Sequence, residues 1–253
     1  MENTERQMVV VRQPGETRML ATITKETFLR EFSVPAVQVA MGRVICSSLL
    51  LLAIPQVCKD KLTLVSKNAS GPLMLTGVAM AVHWSSLFQS IQTSSVAIGT
   101  ITFSTFPLFL TFLEPLLFHE KIRGKNILNA LILLMGVLIT IPEFSVENKV
   151  TIGILCGMLA SFTYAVMTLS NRYFSSRYKG RTICLYEQGT AAIALLPALV
   201  LVKAEWRPVD FAGVATIGFL CTALAYSLYV TAQKGVTAQT AGIISGMETV
   251  YGI

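Results

Sequence analysis

Apolar residues come in runs of about 17 to 25, broken by short polar gaps, which is the length an α-helix needs to cross a bilayer's hydrocarbon core. The runs predict eight spans. Helix A covers about Ala36 to Val57, B Gly71 to Ser90, C Val96 to Phe118 and D Ile127 to Ile141. Helix E covers Ile152 to Ser170, F Thr182 to Val202, G Phe211 to Thr231 and H Thr237 to Ile253. Pro107 and Glu114-Pro115 predict a bend in C, because proline removes a donor and collides with the preceding turn.

Lysine and arginine alternate between gaps. They are dense after A (Lys59, Lys61, Lys67), after C (Lys121, Arg123, Lys125) and after E (Arg172, Arg177, Lys179, Arg181), and sparse after B and D. Cytoplasmic loops collect such residues, so the A–B, C–D and E–F gaps are expected on the cytoplasmic side. That orientation puts residues 1–34, a polar tail with Arg6, Arg12, Arg18, Lys25 and Arg30, on the outside with no span to export it. A further span upstream is therefore expected.

Composition agrees with a lipid environment: 53% of the 253 residues are hydrophobic and 13% charged, where soluble domains carry about 25% charged residues. The net charge of +6 is explained by topology rather than by nucleic acid, since the basic residues lie in gaps and not on one face. The five cysteines are scattered singly and read as apolar packing residues, with no metal site. No cofactor is implied. No phosphate-binding glycine loop, His-Glu-x-x-His or Gly-x-Ser-x-Gly occurs, which argues against an ATPase or an intramembrane enzyme.

Sliding the chain along itself by 141 positions puts Gly77 on Gly218, Ser86 on Ser227, Leu87 on Leu228, Phe88 on Tyr229 and Gln92 on Gln233. Helix B then pairs with G, A with F and C with H, so the repeat unit has five helices. An odd number of spans turns the second copy upside down relative to the first. The expected units are 35–142, a first repeat lacking its first helix, and 151–253, a second lacking its last, as spans two to nine of a ten-span protein.

Specific stretches resemble the drug/metabolite transporter superfamily, EamA type. Phe118-His119-Glu120-Lys121-Ile122 followed by Gly136-Val137-Leu138-Ile139 is similar to the family's Gly-Glu hairpin and the glycine-bearing helix after it, with His119 in place of the usual glycine. Gly153-x-x-x-Gly157, continued by Ser161 and Ala165, resembles the family's sixth span, and small residues at this spacing let helices approach closely. Met247-Glu248-Thr249-Val250-Tyr251 resembles a Leu-Glu-Pro-Val motif, with Thr249 where proline is usual. The resemblance implies an all-α, polytopic bundle of inverted repeats with a central cavity, in a bacterial inner membrane. It further implies a secondary carrier of a small polar metabolite, such as an amino acid, working by alternating access. A truncated, non-transporting remnant is the alternative, and a homodimer is compatible with either.

Ionisable groups inside spans are the natural site candidates. Arg43 in A would hold an anionic group or pair with Glu187 or Glu248. In F, Tyr186, Glu187 and Gln188 line the cavity or face the aqueous boundary. His83-Trp84 in B offers a titratable ring beside an aromatic face, or a hydrogen-bonded packing pair. Gln89, Gln92 and Ser85 share a face, as substrate contacts or polar glue. Tyr164 and Tyr226 line the cavity or pack. Glu248 in H is the candidate for proton coupling, or a structural carboxyl.

Overall fold

The computed structural model describes residues 34–58, 65–119, 124–139 and 148–246. Among them every regular element is helical. Helix A becomes α1 (Ala36–Cys58) and B becomes α2 (Lys67–Thr93). Helix C is split into α3 (Val96–Phe103) and α4 (Phe106–Phe118). The break at Ser104 and Thr105 delivers Pro107 into the first turn of α4, where its missing N–H costs nothing. D is α5 (Gly124–Ile139) and E is α6 (Lys149–Ser175). F is α7 (Gly180–Leu195) with a short continuation α8 (Ala198–Leu201).

Helix G departs most from expectation. It starts as α9 (Pro208–Thr216), runs through a ten-residue π-helical segment, Ile217–Tyr226, and resumes as α10 (Ser227–Ala232). Within it Thr222 donates to the Ile217 carbonyl, five residues back, at 3.0 Å. H begins as α11 (Ala238–Gly246).

Eight spans is therefore too simple a count. Five helical stretches among the described residues are long and apolar enough to cross a membrane: 36–53, 96–118, 149–175, 180–201 and 208–235. α2 has the length but not the apolarity, and its position explains why. It packs against α1, α3, α6 and α7, and the polar residues on its buried faces find partners there, while Met74, Leu75, Val78 and Val82 stay exposed on the remaining face. Ser90 donates to the Gly153 carbonyl at 2.6 Å, Thr76 shares a hydrogen bond with Ser170 at 2.6 Å, and Gln92 donates to the Val34 carbonyl at 3.0 Å.

The small-residue stripe of α6 does what its spacing predicts. A Cβ on Gly157 would lie 2.8 Å from Thr102 Cβ and one on Gly153 2.5 Å from Ser94 Cβ, while Ser161 bonds Thr105 at 2.9 Å. The loss of side chains brings α6 against α2 and α3, the approach that small residues permit in lipid.

Two other glycines record the internal repeat. A Cβ on Gly77 in α2 would lie 2.5 Å from the Glu187 carbonyl oxygen in α7, and one on Gly218 in the π segment 2.6 Å from Cys46 Cβ in α1. Gly218 lies 141 positions after Gly77, and Glu187 lies 141 after Cys46, so one contact is made twice with its partners exchanged. A two-fold relation between the halves has this signature.

The ends of the helices alternate as the charge pattern predicts. The start of α2 and the ends of α4 and α6 line one groove at one end of the bundle, which gathers the A–B, C–D and E–F gaps on one side. Glu114 of α4 fastens this end: it accepts from Arg172 of α6 in an ion pair and from the Ala238 N–H that opens α11, at 2.8 Å.

Candidate functional site

Most of the candidate residues converge where α1, α2, α6, α7 and the π segment meet. Arg43, 1% exposed, lays its guanidinium 3.4 Å from the centroid of the Trp84 ring. Its Nε donates to Thr222 Oγ1 at 2.9 Å. A desolvated cation over tryptophan is stabilised by about 2 kcal/mol, so this contact offsets part of the cost of burying the charge.

Trp84 meets His83 edge-on at 4.6 Å between ring centroids. His83 Nδ1 lies 2.8 Å from the Ala160 carbonyl oxygen. A carbonyl can only accept, so Nδ1 carries the proton and the tautomer is set. From His83 an aromatic row continues through Tyr164 at 5.3 Å, then Tyr229 at 6.5 Å and Tyr226 at 6.2 Å.

The row ends on a carboxylate. Tyr226 donates its hydroxyl to Glu187 Oε2 at 3.1 Å and receives the Asn171 side-chain amide at 2.7 Å. Glu187 and Gln188 are both 0% exposed, and Gln188 accepts the Ser47 hydroxyl of α1. Among the described residues Glu187 Oε1, Gln188 Nε2 and Asn171 Oδ1 have no hydrogen-bond partner. Each buried unmatched polar atom costs about 1–3 kcal/mol, so three of them in one region are a cost that calls for an explanation.

The structure thus brings Arg43, Trp84, His83, Tyr226, Glu187 and Gln188 into one connected region. Tyr186 stands apart, partly buried with its hydroxyl 3.5 Å from the Val65 N–H that donates to it. Gln89 is exposed and donates to Thr93 within its own helix at 2.7 Å. Glu248 lies outside the described residues. Thr222, Asn171, Tyr229 and Ser47 are members that sequence reasoning missed. They look like ordinary helix residues, and only the three-dimensional crossing brings them to the site. Cys46, Cys156, Cys184 and Cys221 are free thiols.

Long apolar helices around a buried polar centre make this a multi-pass membrane protein. The chain belongs to the EamA-like transporter family, whose model matches residues 21–141 and 151–253. It is 27% identical over 185 residues to an uncharacterized transporter of Helicobacter pylori strain J99, covering 68% of this chain and 59% of that protein. It is 25% identical over 227 residues to an uncharacterized transporter of Clostridium kluyveri, covering 84% of this chain and 70% of that one. A solved crystal structure shares the fold with a TM-score of 0.67 at 16% identity, over 90% of this chain and 79% of its own.

Proposed function

We propose that the protein is a secondary carrier for a small polar metabolite of the amino-acid type, moved by alternating access between its two inverted halves in a bacterial inner membrane. Family membership and two bacterial relatives that carry the name transporter support the class. The observation that carries the rest is the group of buried, unmatched polar atoms around Glu187, Gln188 and Asn171, close to the contacts that the repeat makes twice. Carriers built from inverted repeats hold their substrate at the interface between halves. In this reading Arg43 receives an anionic group and Glu187 a cationic one, with the aromatic row between them lining the path.

Glu187→Gln keeps an acceptor for the Tyr226 hydroxyl and removes the charge. Purified chain in proteoliposomes would be given a panel of labelled amino acids and related metabolites, with and without a proton gradient. Flux in the wild type that falls at least about tenfold in Glu187→Gln, with the melting temperature held, sustains the reading. No flux from any panel member in the wild type, or equal flux in the variant, refutes it.

A further inference from the structure

At the end of the bundle that the charge pattern assigns to the cytoplasm, α2, α4 and α6 enclose a groove of about 620 Å³. It is separate from the polar centre and shares no lining residue with it. Its two ends differ in chemistry. The walls are hydrocarbon, supplied by Val166 and Leu169 of α6 and by Leu116 and Leu117 of α4, the last two 75% and 55% exposed. The rim is polar and basic, with Ser66, Arg177 and Tyr178.

The rim residues are held in place. The Arg177 guanidinium rests 4.6 Å from the centroid of the Tyr173 ring, which fixes it at the groove mouth. The Tyr178 oxygen takes the Ser66 N–H at 3.4 Å and lies 3.2 Å from the Ser66 hydroxyl. Hydrogen bonding to the Ser66 side chain, then to its backbone, lowers the phenol's pKa below its ordinary value. The first turn of α2 starts beside them, adding the positive end of a 27-residue helix.

We infer that this groove binds an anionic phospholipid, with one acyl chain along Leu116, Leu117, Val166 and Leu169 and the phosphate against Arg177, Tyr178 and Ser66. Charge complementarity sets the headgroup: the rim presents a cation and hydroxyl donors, and basic pockets between helices on the cytoplasmic side suit acidic lipid heads. The hydrocarbon wall sets the source, because a free phosphate would leave the exposed leucines without a partner. Nothing in this inference requires that the protein transports.

Native mass spectrometry of the full chain, released from mixed micelles holding equal phosphatidylglycerol and phosphatidylcholine, reads the preference directly. The wild type is expected to retain phosphatidylglycerol, and Arg177→Gln to lose that preference on the order of five-fold, the worth of one basic residue at an anionic surface. Lys179→Gln, a neighbouring cation not on the rim, is expected to leave it unchanged, and Leu117→Trp to displace both lipids by filling the groove. Equal retention of the two lipids by the wild type overturns the inference. So does an equal loss in Arg177→Gln and Lys179→Gln, which would mean only a charged surface. Full displacement by glycerol phosphate without an acyl chain would overturn the lipid as occupant.

Discussion

Ser47 in α1 donates its hydroxyl to the side-chain carbonyl of Gln188 in α7, and the two positions are 141 residues apart. A residue can touch its own repeat counterpart only where the symmetry axis passes, so the axis relating the halves runs between these side chains. The Gly77–Glu187 and Gly218–Cys46 contacts are its off-axis consequence. Adding a methyl at either glycine would push on backbone or Cβ atoms, so Gly77→Ala and Gly218→Ala are expected to lower stability by a similar amount, roughly 1–3 kcal/mol each. Unfolding of the purified variants in graded denaturing detergent measures this. A large effect at one glycine with none at the other would contradict the equivalence.

Arg43 uses its planar group twice, stacking on Trp84 and donating through Nε to Thr222. Lysine keeps the charge but neither geometry. Arg43→Lys is expected to lower flux at least about tenfold and to reduce stability by about 1–2 kcal/mol, the scale of a desolvated cation–π contact. Transport assays beside thermal melts separate the two effects.

Glu114 serves both Arg172 and the first N–H of α11. Its side chain is 7% exposed, so Glu114→Ala leaves two donors without this acceptor in a mostly dry place. Removing one member of a buried pair costs about 3–5 kcal/mol. A thermal melt that falls by only a degree or two would argue that the pair is already solvated.

His119 closes α4 with φ 54°, the one non-glycine residue with positive φ among the described residues. A side chain there is strained by roughly 1 kcal/mol. His119→Gly is expected to stabilise the protein by about that amount, read as a rise in melting temperature with no change in flux.

Much of the fold could be read from the chain because lipid imposes one length and one polarity on every exposed helix. The break before Pro107, the close packing of Gly153 and Gly157 and the 141-residue repeat all follow from local residue types. The status of α2 did not, since the polar residues on its packed faces answer to the partners they meet rather than to the solvent. The π-helical turns of Ile217–Tyr226 left no mark in composition, yet they present Thr222 to Arg43 and Tyr226 to Glu187 from one short stretch. Arg43, Trp84, His83 and Glu187 could be proposed singly from their cost in lipid. Their connection through Tyr164 and Tyr229 depends on contacts between residues far apart in sequence.

α2 and α6 pack against each other, and each runs for 27 residues. At 1.5 Å per residue that is about 40 Å, some 10 Å more than a hydrocarbon core of about 30 Å. The polar ends absorb the difference: Lys67, Asn68 and Ser70 open α2 and Asn171, Arg172 and Ser175 close α6, so about 10 Å of each helix stands in the headgroup layer rather than in the hydrocarbon. The groove lined by the start of α2 and the end of α6 is therefore held at headgroup depth by rigid helix rather than by loop.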